Sequence, residues 1–154
     1  MKLYMKITKQ TLRAHSLLYA ELELQKLRLE EMMDTAPAVS AKPPDGQPRA
    51  RITSDPTTTR LSQEEEIRER IKDISRTIDR ERAIIRVKLK RIEPMECAVL
   101  EMRYLDRCKW NRISMLMFGG RKDFEEKKES YLRGVYRIHG NALSHICEIT
   151  KTGG

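Results

Sequence analysis

Aromatic residues are scarce in this chain: one Trp, two Phe and five Tyr among 154 residues, 5% of the whole. So few large rings make a thin core and favour a small helical body over a large α/β one. Cysteine is scarcer still. Cys97, Cys108 and Cys147 form an odd set with no CxxC pair, which excludes a disulfide framework and reads as reduced core thiols in a reducing compartment. Taken with His139 and His145 they show no zinc-finger spacing, and His145 and Cys147 point apart on a helix, so no metal is expected. No apolar run approaches the roughly 18 residues of a membrane span, and no signal-like apolar segment follows Met1. The chain therefore reads as soluble and intracellular, without a membrane partner. A phosphate loop is lacking, and no nucleophile sits in a recognisable setting. His139-Gly140-Asn141 has neither the partner histidines nor the β-hairpin of a metal-dependent nuclease. The reading is a non-enzyme with no cofactor.

Charge, in contrast, is plentiful. Asp, Glu, Lys and Arg make up 35% of the chain, and 31 basic residues against 23 acidic ones leave a net +8. That excess favours a polyanionic partner, double-stranded DNA first. It is no basic tail: residues 1–61, 62–93 and 94–154 carry +3, +2 and +3.

Five of the six prolines fall between Pro37 and Pro56. A stretch of that composition buries too little apolar surface to offset its ordering entropy, so residues 34–61 read as a flexible linker. Before it, residues 1–33 contain a leucine-rich helix from about Thr8 to Met33. Its apolar groups occupy two faces, Leu17, Leu24 and Leu27 on one and Leu18, Leu22 and Leu29 on another. Such a helix wants two neighbours or self-associates. After the linker, Ser62 and Glu65 have the spacing of a capping box. Behind them Ile67, Ile71, Ile74, Ile78, Ile85, Leu89 and Ile92 fall within about 40° of one line on a helix. A stripe this narrow suits a two-helix seam or coiled coil over residues 62–93. Arg86, Lys88, Lys90 and Arg91 at its C-terminal end complement the helix dipole or contact phosphate. The helices at 8–33 and 62–93 are the expected route to a homo-oligomer.

Pro94 restarts the chain in a new direction, as proline does at a first helical position. The predicted helix to about Leu105 places Cys97, Leu100 and Tyr104 on one face. A short helix follows from Trp110 to Met117 and stops at Phe118-Gly119-Gly120. Asp123 with Glu126 offers a further start signal. From there Phe124, Tyr131, Val135, Ile138, Ala142, Ile146 and Ile149 share one stripe, with Arg133, Arg137, Gly140 and Ser144 opposite and Tyr136 beside them. Helix, short helix, glycine turn and a longer helix with an arginine-bearing outer face is the order of a helix-turn-helix unit over 94–150. Two arginines one turn apart can reach phosphates or the O6/N7 edge of guanine.

Three segments carry a resemblance. Pro94-Met95-Glu96-Cys97-Ala98-Val99-Leu100-Glu101-Met102-Arg103-Tyr104-Leu105 resembles the "LPxxExxVLxxRYL" opening of the region-4 domain of bacterial sigma factors. Trp110-Asn111-Arg112-Ile113 is similar to the "W-x-x-I" start of the next helix in phage relatives of that domain. Val135-Tyr136-Arg137-Ile138-His139-Gly140-Asn141-Ala142-Leu143 is similar to the recognition pattern "V-x-R-I-H-x-x-A-L". In this order, over residues 93–147, they resemble the phage and prophage late-transcription regulators of the RinA/ArpU kind. The resemblance implies an all-α fold: a long helical hairpin or coiled coil followed by a sigma-region-4-like helix-turn-helix. It also implies a sequence-specific transcriptional regulator, an activator of phage late genes, in the cytoplasm of a bacterial host beside RNA polymerase. Val135, Ile138, Ala142 and Leu143 would seat the recognition helix on the core. Arg133, Tyr136 and Arg137 would face the major groove, with Lys109, Asn111 and Arg112 steadying the backbone from the preceding helix. His139 joins this DNA-binding set as a packing or phosphate residue.

The family's tight turn is stretched here by residues 121–129. A final helix starting at Asp123 would carry Glu125, Glu126 and Glu129 at its tip, where acids repel phosphate. Two other readings share these features. One is a phage DNA-packaging recognition subunit of the small-terminase type; the other is a structural coiled-coil adaptor whose basic charge is incidental.

Overall fold

The computed structural model describes residues 6–35 and 56–151, and the side chains of all of these except Pro56 and Thr57. Every regular element among them is a helix: α1 (Lys9–Asp34), α2 (Pro56–Leu89), α3 (Pro94–Leu100) continued by a π-helical turn (Glu101–Leu105), α4 (Trp110–Phe118) and α5 (Lys128–Lys151). The fold is all-α, as expected. The greater part of the proposed linker, residues 36–55, lies outside the described residues. Its two ends are helical: α1 runs to Asp34, and α2 begins six residues before Ser62. Ser62 is therefore an interior residue of α2, and the Ser62–Glu65 spacing is not its cap. The described helix already includes Pro56.

Two compact units make up the chain, Met1–Tyr19 with Thr77–Gly154, and Ala20–Arg76. In the smaller unit Leu22, Gln25, Leu29 and Met32 of α1 are half-buried, as are Ile67 and Ile71 of α2, while Ile74 is buried. Arg70 pairs with Glu21, and Arg60 Nη1 donates to the Thr35 carbonyl at 3.3 Å. The other leucine face of α1 is uncovered here: Leu24 is 46% and Leu27 55% exposed.

The larger unit holds two hydrophobic clusters. In the first, Ile7 and Leu12 of the N-terminal segment meet Ile85, Leu89 and Ile92, together with Leu100, Tyr104, Leu105, Ala142 and Ile146. Burying side chains of this size stabilises by roughly 1.5–3 kcal/mol each. α1 enters this cluster through reciprocal capping. Thr8 Oγ1 accepts from the Thr11 N–H at 3.2 Å, and Thr11 Oγ1 accepts from the Thr8 N–H at 3.3 Å. Ile7 and Leu12, flanking that box, are fully buried as a hydrophobic staple. The Ile7 N–H donates to Thr150 Oγ1 at 2.8 Å, tying the start of α1 to the end of α5.

α2 closes with short-range bonds, Arg91 N–H to the Lys88 carbonyl at 3.1 Å and Ile92 N–H to the Leu89 carbonyl at 3.3 Å. The helix thus stops at Leu89 and Ile92 packs from the turn beyond it. Lys88 is 6% exposed, so among the basic residues at this end it is a packed stem and not a phosphate contact. Glu93 is extended (φ −59°, ψ 146°), the conformation that a following proline imposes.

Candidate nucleic-acid interface

The second cluster joins α4 to α5. Val99, Ile113, Phe118, Phe124 and Val135 are buried in it, with Met102, Trp110, Tyr131 and Ile138 packed against them. The segment linking the two helices is longer than the sequence pattern of a tight turn but is folded on itself. Phe118 stacks on Tyr131 with centroids 5.1 Å apart, and Phe124 lies 5.8 Å from the same ring. α5 begins at Lys128 and not at Asp123. The Asp123 carboxylate is occupied otherwise: it accepts from the Tyr131 hydroxyl, which holds its pKa below the usual carboxylate range, and it pairs with Lys127 at 3.5 Å. Of the acids expected at the tip of the helix, Glu125 and Glu126 precede it and only Glu129 lies in its first turn. Glu125 pairs with Lys128 at 2.8 Å.

α5 turns Val135, His139, Ala142, Ile146 and Thr150 inward. Ile138 and Leu143 are half-buried beside them, whereas Arg133, Tyr136, Arg137, Gly140 and Ser144 are exposed. On α4 and just before it, Lys109, Asn111 and Arg112 are exposed as well. Trp110 holds the Tyr136 ring edge-on at 5.1 Å, leaving Tyr136 44% exposed. A β-carbon added at Gly134 or Gly140 would meet nothing within 4 Å, so the helix surface there is open to close approach.

Several carboxylates of this unit already have partners. Glu96 is held by His145 at 2.8 Å, Asp106 by Arg82 at 3.1 Å and Asp123 by Tyr131 and Lys127. Among the described residues, none of Lys109, Arg112, Arg133 and Arg137 forms a salt bridge.

His139 does not belong with the exposed set. It is 9% exposed, 2.8 Å from the Tyr104 hydroxyl through Nε2, stacked on that ring and edge-on to Trp110 at 4.8 Å. Burial, aided by Lys9 and Arg103, pushes its pKa down to about 4. Enclosed between Tyr104 and Trp110, His139 is a core residue that joins α5 to the π-helical turn. Its partner lies 35 positions away. Sequence spacing alone carries no signal for such a pair, although His139 sits at the border of the apolar stripe.

A second polar network escaped the sequence reading. His15 is fully buried, with Nδ1 3.0 Å from Glu81 Oε1 and Nε2 3.0 Å from the Tyr19 hydroxyl. The carboxylate can only accept, so Nδ1 carries the proton. Arg82 donates to the same Tyr19 hydroxyl, to the Leu105 carbonyl and to Asp106, each at 3.1 Å. That clamp holds the end of the π-helical turn. The next residue, Arg107, has φ 58°, a left-handed conformation that costs a non-glycine residue roughly 1–2 kcal/mol.

Among the described residues no cluster of three or more His, Cys, Asp or Glu is placed to hold a metal, and no helix is long and apolar enough to cross a membrane. No family of proteins, no curated protein and no solved structure matches the chain.

Proposed function

We propose that this protein is a sequence-specific DNA-binding transcriptional regulator in which α4 and α5 act as a helix-turn-helix and α5 reads the major groove. The observation that carries the reading is the state of Arg133 and Arg137. Both are exposed, both lack a carboxylate partner among the described residues, and they lie one turn apart on a helix whose opposite face is locked into the core. A guanidinium so placed breaks no ion pair when it reaches a guanine edge, whose O6 and N7 accept two of its N–H donors. Tyr136, steadied by Trp110, lies between them. Lys109, Asn111 and Arg112 supply backbone contacts from the preceding helix. The three motifs similar to sigma region 4 and to late-transcription regulators of the RinA/ArpU kind support the same reading and extend it to phage late genes and to RNA polymerase as a partner.

The test starts from duplexes selected out of a random library by the full chain. Each guanine-reading arginine is worth about 1–3 kcal/mol of discrimination. Arg133→Ala with Arg137→Ala should remove the preference for the selected site over random duplex while leaving the helical content unchanged. Arg112→Ala should weaken both duplexes alike. An undiminished preference in the double variant refutes base reading by α5. Enrichment of no sequence at all would favour the adaptor reading.

A further inference from the structure

A cavity of about 280 Å³ opens beside the π-helical turn, lined by Arg13, Ser16, Leu17, Arg103, Tyr104 and Arg107. Three of the six residues carry guanidinium groups and none carries a carboxylate. Asp106, the acid adjoining Arg107 in the chain, is drawn off by Arg82 at 3.1 Å. Among the described residues none of the three arginines forms a salt bridge. Arg103 donates to the Cys108 carbonyl at 3.2 Å and lies over the Trp110 ring, 4.4 Å from its centroid. Arg107 lies 5.7 Å from the centroid of Tyr19. These ring and carbonyl contacts orient the planar heads without neutralising them. The left-handed backbone at Arg107 is a second observation. Strain of that kind persists where the surroundings enforce it, and it gathers at binding sites together with π-helical turns. The positive field is felt by neighbouring groups: Arg103 opposes protonation of His139, and Arg103 and Arg13 partly offset the rise that burial imposes on the Tyr104 hydroxyl.

We propose that Arg13, Arg103 and Arg107 form a binding site for a phosphate group. Three guanidinium groups around one cavity, with no carboxylate partner among the described residues, repel one another, and a tetrahedral oxyanion relieves that repulsion while accepting their remaining N–H donors and the Ser16 hydroxyl. The ligand chemistry is a phosphate monoester, diphosphate or phosphodiester. This deepens the DNA reading and rests on it for the source, a backbone phosphate of the duplex held at α5. Trp110, which touches both Arg103 and Tyr136, links this pocket to the outer face of that helix.

The single tryptophan makes the site testable in the full chain. Inorganic phosphate and diphosphate, added at constant ionic strength against chloride, should change Trp110 fluorescence saturably. Arg13→Gln with Arg107→Asn should abolish the change; both residues are exposed, and Asn tolerates the left-handed backbone. In duplex binding the same variant should lose about two units from the salt slope. Wild-type affinity would then fall about tenfold more than the variant's between 50 and 200 mM salt, equally for selected and random sequences. A saturable response to phosphate with an unchanged salt slope keeps the site and assigns it to a free phosphorylated ligand, even if base reading by α5 fails. No response to either anion in the folded wild-type protein, together with an unchanged slope, overturns the proposal.

Discussion

Acidification from pH 7 to 4.5 should expose the burial of His139. In the unfolded chain this imidazole takes a proton near pH 6.5. In the fold, enclosure against Tyr104 and Trp110 pushes its pKa down to about 4. Because the folded value is the lower one, its neutral form favours folding above pH 6.5. That advantage is lost as the pH falls from 6.5 towards 4, where the unfolded state binds a proton that the folded state refuses. Two and a half units of separation correspond to about 3 kcal/mol once the folded form too is protonated, below pH 4, and to about 2 kcal/mol at pH 4.5. The assay is urea unfolding followed by Trp110 fluorescence at pH 7, 6, 5 and 4.5, for the wild type and for His139→Gln. Every other group is common to both proteins, so the difference between the two pH profiles isolates position 139. His139→Gln should be less stable at pH 7, since it loses the ring contacts, but it should lose about 2 kcal/mol less on acidification. Parallel profiles would refute the assignment of His139 to the core.

His145 should behave with the opposite sign. Its hydrogen bond to Glu96, at 2.8 Å, raises its pKa above the ordinary value, so its contribution is complete below pH 6.5 and disappears as the pH rises through the folded value. His145→Ala, compared with wild type by thermal unfolding at pH 6 and pH 8.5, should show a deficit at pH 6 that shrinks at pH 8.5. The uncovered leucine face of α1 should mediate self-association, at about 0.8 kcal/mol per buried methylene. Leu24→Glu with Leu27→Glu should lower the mass seen by light scattering to that of a single chain without loss of helix. A ring of many subunits in the wild type would favour DNA packaging over regulation.

Much of this protein is legible along its sequence, and the failures are specific. The stripe from Ile67 to Ile92 is in phase with the observed burial, and Pro94 and the glycines at 119 and 120 mark real boundaries. Ser62–Glu65 and Asp123–Glu126 both match a capping signal, and neither caps a helix. A capping box needs only two residue types at a spacing, whereas its use depends on where the chain has already turned. α2 had started at Pro56, and Asp123 was claimed by Tyr131. Phe124 fits the stripe of α5 in phase yet packs from the turn before it, because a buried ring satisfies the same cluster from either backbone conformation.

The candidate interface divides in the same way. Arg133 and Arg137 are placed by a local rule, the 3.6-residue repeat that sends them opposite Val135, Ala142 and Ile146. The same repeat turns His139 inward beside Val135 and Ala142, but it does not say what encloses the ring. Its neutrality and burial come from Tyr104 and Trp110, brought to it by packing between helices. The arginine pocket is equally non-local, since Arg13 reaches Arg103 and Arg107 only once α1 has docked beside the π-helical turn. Helical periodicity and net charge are sums over near neighbours, so the amino-acid sequence alone determined an all-helical, basic chain with an arginine-bearing outer face on its last helix. Desolvation and ion pairing depend on groups far apart in the chain. Only the tertiary structure decided which histidines are sealed into the core, which acids are already paired, and which arginines are left to meet an anion.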